Sequence, residues 1–383
     1  MKGIVPQPAD QRRSAALDQR VDELIGVALA EFGAREAASA AYTRTMIVAA
    51  LRVLSDALPE GDLKLMSNAI EDFHRSLRLF APYEHLRKVS VFGGTNTPPE
   101  HADWQQAHRF AEEMVQRGWM VITGAGPGIM QAAQGGAGRD GSFGVSIRLP
   151  FEEEVNHTIA GDGKLMSFKY FFTRKVAFVK NAHAAALFPG GFGTHDEAFE
   201  ALTLIQTGKS EMLPVVFIDA PGGSYWRDWA AYVDTHLLQR GLIAPDDVAL
   251  FRVTDDPSEA ADEITRFYRN YHSSRYVGDR LVLRVREAPR GDGLTALNDE
   301  FGDLLRGGAI EPSAALREEG DEVPGMPRLV LELHRGRNQG RLRRLIDRLN
   351  EIEPGTEADP RGSAATHQIV EQEPVTGTPE GRR

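Results

Sequence analysis

The chain has no cysteine among its 383 residues. Disulfides, thiolate metal sites and cysteine nucleophiles are excluded at once. Basic residues are in deficit, with 44 Lys and Arg against 55 Asp and Glu and a net charge of -11. That balance argues against a general nucleic-acid or anionic-membrane surface, since both need a basic excess. It leaves room for a local basic pocket around one phosphate. No stretch approaches the roughly 20 apolar residues that span a bilayer, and MKGIVPQPADQRRSAALDQR at the start has no apolar core of the signal-peptide kind. The expectation is a cytoplasmic protein that binds neither membrane nor nucleic-acid polymer. What is present, 42% hydrophobic and 26% charged residues, is ordinary for a globular chain. The length allows one large core plus additions.

Four parts are expected. Residues 1–84 read as a helical extension: in SAALDQRVDELIGVALAEFGA, Leu17, Val21, Leu24, Ile25 and Leu29 share one face. These helices are expected to pack on the core or on another subunit. Residues 85–272 alternate short β-branched runs with helical stretches. The runs are KVSVFGG, WMVITGAG, FGVSIRL, AAALFPGG, PVVFID and VALFRV. That alternation predicts an α/β fold, a Rossmann-like doubly wound parallel sheet with helices on both faces. Residues 273–352 predict a small α+β appendage, with DRLVLRVR and PRLVLELHR as strands. The tail from 353, rich in Pro, Gly, Thr and charge, reads as disordered. No internal repeat is present.

Three glycine loops follow strand-like runs and precede helix-like ones: VFGGTNTPPE, TGAGPGIMQAA and PGGFGTHDEAFE. Glycine lets a ligand approach the backbone, and the free amides at the following helix start favour an anion. One such loop can be a mere tight turn; three in one sheet point to a nucleotide or sugar-phosphate site. A dinucleotide dehydrogenase fits less well. GAGPGI has Ile129 where a third glycine would stand, and the next strand ends on Arg148 where a ribose-binding acid is needed. The pattern GxxxxGK[ST] is absent.

Thr194 follows the third loop and is a good N-cap, which makes Glu197 the third helical residue. Two readings stay open. Thr194 and Glu197 can form a capping box, or the carboxylate can point into a crevice beside a sugar. Arg174 and Lys175 lie on KYFFTRKVAFVKN, a mostly buried helix feeding the third loop; a basic pair there needs a partner, in a salt bridge or in a ligand. His183 reads as a structural histidine, and His195 at the loop mouth as a substrate contact or an exposed residue. His157 has no metal-ligand spacing, so no metal is expected. Glu152 to Glu154 read as a solvated loop. No nucleophile elbow or HExxH helix is found.

PGGFGTHDE matches PGGxGTxxE, TRK supplies the basic pair upstream, and TGAGPGIMQAA is similar to a GGGxxGxM loop. Together they resemble the LOG (lonely guy) family of nucleoside 5'-monophosphate phosphoribohydrolases, often labelled lysine decarboxylases. The resemblance covers about residues 85–272. It implies hydrolysis of the N-glycosidic bond of AMP or a cytokinin riboside monophosphate, to free base and ribose 5-phosphate, without a cofactor. It implies Arg174 and Glu197 as the catalytic pair. It puts the phosphate on Gly190, Gly191, Gly193 and Thr194, and Gly94, Thr95, Gly124, Gly126, Gly128, Met130 and Lys175 around the rest of the substrate. It also implies a homodimer with the site near the subunit interface. Two departures, Ala125 where a glycine is usual and His195 where an apolar residue is usual, bear on base preference. A decarboxylase would need pyridoxal phosphate on a lysine, and nothing marks Lys175 or Lys180 for that. A non-catalytic nucleotide binder is the alternative. A phosphoribosyltransferase would show an acidic pair on a pyrophosphate loop, which is not found.

Overall fold

The computed structural model describes residues 8–32, 37–56, 58–149, 155–320, 323–334 and 338–352. The loop expected at 152–154 and the tail expected to be disordered from 353 lie outside them. The chain divides into two compact units, 1–267 with 337–343, and 268–336 with 344–383.

The first unit opens with three helices, α1 (Pro8–Phe32), α2 (Ala37–Arg52) and α3 (Glu60–Phe80). Val21 and Ile25 of α1 pack with Val48 of α2 in a small cluster of their own. The α/β part follows as β1 (Lys88–Phe92), α4 (Ala102–Gln116), β2 (Met120–Thr123), α5 (Ile129–Ala137), β3 (Ser142–Ile147), β4 (Leu165–Phe168), α6 (Phe171–Asn181), β5 (Ala184–Leu187), α7 (Phe192–Gln206), β6 (Val215–Ile218), α8 (Tyr225–Val233), β7 (Phe251–Thr254) and α9 (Pro257–Phe267). The seven strands are ordered β4-β3-β2-β1-β5-β6-β7, and every pair is parallel. The central strands read as unbroken apolar runs because helices cover both faces. Val89, Val91, Val121, Ile122, Phe217 and Ile218 are wholly buried.

The expected doubly wound sheet is present, with one strand more than the six read from the sequence. β4 was missed because LMSF is only four residues long and runs into the apolar helix of α6, so neither period stands out. α3 is bound to the core. Its Phe80 stacks on Phe143 of β3 at 4.6 Å. Its buried Asp72 accepts from the Lys169 amide at 3.1 Å and from the Thr173 hydroxyl at 3.0 Å. The carboxylate thereby ties α3 to the start of α6.

The second unit carries β8 (Tyr271–Val277), β9 (Arg280–Val285), α10 (Gly291–Phe301), β10 (Glu311–Ser313) and β11 (Arg328–Leu331). The antiparallel sheet runs β10-β11-β9-β8. α11 (Gln339–Glu351) gives its first residues to the first unit and the rest to the second. Inside the second unit Glu319 is buried between Arg284 at 2.8 Å and Arg328 at 3.2 Å. Among the described residues no helix is long and apolar enough to cross a membrane.

Candidate functional site

β1 pairs with β2 on one side and β5 on the other. The chain works outward from β1 to β4, then starts again at β5, so the carboxyl ends of β1 and β5 flank the point where the winding reverses. Crossover helices leave a crevice there, where open α/β sheets bind ligands. The three glycine loops meet at this point. Gly94 N donates to Pro189 O at 3.0 Å, joining the first loop to the third, and Ile129 N donates to Gly94 O at 3.0 Å, joining the second to the first.

Two glycines are held to that identity by the packing. A Cβ on Gly190 would lie 2.2 Å from Thr194 Oγ1 and 2.8 Å from Gly94 N. Gly128 has φ +66°, and its Cβ would fall 2.3 Å from Gly94 O. Gly128 and Gly190 therefore stand behind the crevice and hold the loops together. Gly94, Thr95, Gly124, Gly126, Met130, Gly191, Gly193 and Thr194 line a cavity of about 300 Å³, together with Arg174 and Glu197. Ile147, Leu149, Val155 and Phe171 supply an apolar wall.

Arg174 sits one turn into α6. Its guanidinium lies 5.0 Å from the Phe171 ring centre and 5.7 Å from that of Phe178. Its Nε is buried without a hydrogen-bond partner, and it makes no ion pair among the described residues. Burial lowers its pKa, against the opposing charges of Glu197 and Asp196. Such a cation is costly unless a ligand pairs with it.

Glu197 is buried on α7. Of the two readings left open by the sequence, the capping box is not formed. The helix begins at Phe192 with Gly191 as N-cap and no side-chain cap, so Thr194 is the third helical residue and Glu197 lies a full turn beyond the first three amides. The reason is steric: Gly191 already takes the extended conformation of an N-cap, and nothing stops the helix from running through Gly193. Glu197 is thus free of the backbone and faces the cavity. Burial raises its pKa, Lys175 and Arg174 pull it down, and Glu200 and Asp196 push it up again; the net direction is up.

Lys175 turns away from the cavity wall. Its Nζ lies 2.8 Å from Asp196, 2.7 Å from Glu200 and 3.5 Å from Glu197. Burial alone would lower its pKa, but the bonds to Asp196 and Glu200 with the charges of Glu197 and Glu200 raise it. It neutralises an acidic helix face and holds Glu197 from behind.

Several supporting residues gave no signal in the sequence. Asn156 donates to Gly126 O at 3.0 Å and to Gln134 Oε1 at 2.7 Å, and its amide N donates to Ala125 O at 2.9 Å. These bonds hold the second loop although Ala125 sits at φ +63°, a conformation glycine would adopt more easily. Tyr225 donates to Gly190 O at 2.5 Å and meets His195 Nε2 at 2.8 Å, bracing the third loop from α8. His183 Nδ1 accepts from the Lys88 amide at 3.2 Å, a structural role as expected. Asp72, Gln134 and Asn156 are single polar residues in unremarkable contexts, and only their burial reveals them.

Fold and site together define a parallel α/β protein with a glycine-lined crevice at the switch point, into which a buried arginine without an ion pair among the described residues and a buried carboxylate both face. Comparison with known proteins shows what this part of the chain is similar to. Residues 128–264 match the model of a family described as possible lysine decarboxylase. A probable cytokinin riboside 5'-monophosphate phosphoribohydrolase of Oryza sativa subsp. japonica is 23% identical over 186 residues, 48% of this chain and 73% of that protein. A second probable one from the same plant is 26% identical over 145 residues, 37% of this chain and 64% of that protein. A cytokinin riboside 5'-monophosphate phosphoribohydrolase of Arabidopsis thaliana is 24% identical over 221 residues, 55% of this chain and 96% of that protein. Through its α/β part the chain is similar to the LOG phosphoribohydrolases. Solved structures with partial likeness include the molybdenum cofactor binding protein from Rippkaea orientalis, at 20% identity and TM-score 0.32 over 47% of this chain and 96% of that one. Another is the molybdenum cofactor carrier protein from Chlamydomonas reinhardtii, at 17% identity and TM-score 0.34 over 47% of this chain and 97% of that one.

Proposed function

We propose that the protein hydrolyses the N-glycosidic bond of nucleoside 5'-monophosphates, AMP or a cytokinin riboside monophosphate, giving the free base and ribose 5-phosphate. The observation that carries this reading is the pair Arg174 and Glu197: both line one cavity among three phosphate-type loops, and neither is bonded to the other. The relatives' names support the reaction class. In this reading residues 85–272 form the catalytic domain, and 1–84 and 273–352 are additions to it.

The amides and hydroxyl of Gly191, Gly193 and Thr194 take the phosphate, with the dipole of α7 behind them. Glu197, further along the same helix, then faces the ribose. As the C1'–N bond breaks, positive charge builds on the sugar, and a carboxylate in a poorly hydrated site stabilises it. Water adds to C1' and loses a proton to Glu197, which burial makes a stronger base than an ordinary carboxylate. The bond pair leaves with the base nitrogen, which takes up a proton. Arg174 orients the nucleotide and stabilises the departing base. The apolar wall of Ile147, Leu149, Val155 and Phe171 receives the base.

A cytoplasmic homodimer belongs to the same reading. Its support is the set of exposed apolar side chains on α6 and α7, including Phe171, Phe172 and the 96% exposed Phe192. Light scattering measures the mass directly. The reaction is tested by incubating purified protein with a panel of nucleoside monophosphates and following base and ribose 5-phosphate, with the unphosphorylated nucleosides as controls. Wild type is expected to cleave a phosphorylated substrate and Glu197→Gln to lose about 10²–10⁴-fold in rate. A Glu197→Gln protein as fast as wild type would sink the assignment. Binding without turnover in wild type would leave a non-catalytic nucleotide binder.

A further inference from the structure

A second cavity, of about 460 Å³, lies within the second unit. Three arginines from three different segments line it: Arg269 before β8, Arg286 directly after β9, and Arg290, the N-cap residue of α10. Five other arginines of this unit are tied to carboxylates. Arg284 and Arg328 hold Glu319, Arg306 holds Asp279 and Glu332, Arg280 holds Glu318, and Arg348 holds Glu300 and Glu351. Arg269, Arg286 and Arg290 make no such pair among the described residues. Acids are at hand, because Glu287 and Asp292 line the same cavity, yet neither carboxylate comes within ion-pair distance of the three guanidinium groups.

In a chain of net charge -11, the three guanidinium groups around this hollow outnumber the carboxylates of Glu287 and Asp292 that share it, which leaves a local positive excess. Planar guanidinium forks match phosphate oxygens two bonds at a time. The volume is that of a small-molecule site and admits a ligand of nucleotide size. We propose that this cavity binds a phosphorylated metabolite through its phosphate groups, at a site separate from the α/β crevice. The assignment rests on the second unit alone, so loss of the hydrolase reading would leave it standing.

The test uses the full chain carrying Arg174→Ala, which removes the buried cation that lines the α/β crevice. Inorganic pyrophosphate is titrated by calorimetry into this protein and into the same protein with Arg286→Ala and Arg290→Ala added. Removing charge-assisted bonds is expected to weaken binding about tenfold or more. Hydrogen exchange supplies a readout independent of those substitutions. Pyrophosphate is expected to slow exchange across residues 286–293 in the Arg174→Ala protein. Equal affinity with and without the two arginines, or unchanged exchange in that segment, overturns the site.

Discussion

Substituting alanine at Gly190 and at Gly193 separates the two jobs of the third loop. At Gly190 the new Cβ would lie 2.2 Å from Thr194 Oγ1, 2.8 Å from Gly94 N and 2.9 Å from Gly93 C. The hydroxyl can rotate away, but the two backbone atoms cannot. The first and third loops must part by about half an ångström to restore ordinary contact, an overpacking that costs about 1–3 kcal/mol. A chain of this size loses roughly 2–4 °C of melting temperature per kcal/mol. The proposed phosphate grip moves with the loop, and a misplacement on the order of 1 Å can cost about 10²-fold in rate. At Gly193 nothing lies within 4 Å of the added methyl, and alanine favours a helix over glycine by about 1 kcal/mol. Gly193→Ala is therefore expected to keep or raise the melting temperature. It still narrows the cavity that Gly193 lines, so KM for the nucleotide should rise. Scanning calorimetry and steady-state kinetics on both variants give the comparison. Equal melting temperatures for Gly190→Ala and wild type would refute the loop contact described for the crevice, and equal losses in both variants would refute the division of roles.

Glu197→Gln is expected to stabilise the fold relative to wild type at neutral pH, because burial raises the Glu197 pKa and its ionised form is the unfavourable one. The favourable contribution of the neutral acid is complete below the ordinary carboxylate pKa, near about 4.3, and is lost as pH rises through the raised value. The gap between variant and wild type should accordingly widen from acid toward neutral pH in urea melts; a constant gap would contradict it. Lys175→Met leaves Asp196 and Glu200 uncompensated beside Glu197. The acidic limb of the pH–rate profile should move to higher pH, and Lys175→Arg should restore it. Asp72→Ala removes the acceptor of two bonds at the start of α6, and should cost about 2–3 kcal/mol in urea denaturation. It should also lower kcat more than it changes KM if α6 carries Arg174 out of register.

The sequence by itself determined the doubly wound sheet, because buried parallel strands must be apolar throughout and glycines must end them where a ligand approaches. It also pointed to the two charged residues of the crevice: PGGFGTHDE and TRK single out Glu197 and Arg174, and both line the cavity. The helix start was not legible, since a threonine after glycines reads as an N-cap until the backbone of Gly191 is seen to take that place. Nor was the separate duty of Lys175, because adjacent basic residues look alike in a sequence. One turns into the crevice and the other to Asp196 and Glu200 only once α6 and α7 are packed. Asp72 and Asn156 are the clearest cases. Each is a lone polar residue far in sequence from what it holds, and its partner is chosen by burial: a group removed from water must find its hydrogen bond wherever the fold has left a donor or acceptor.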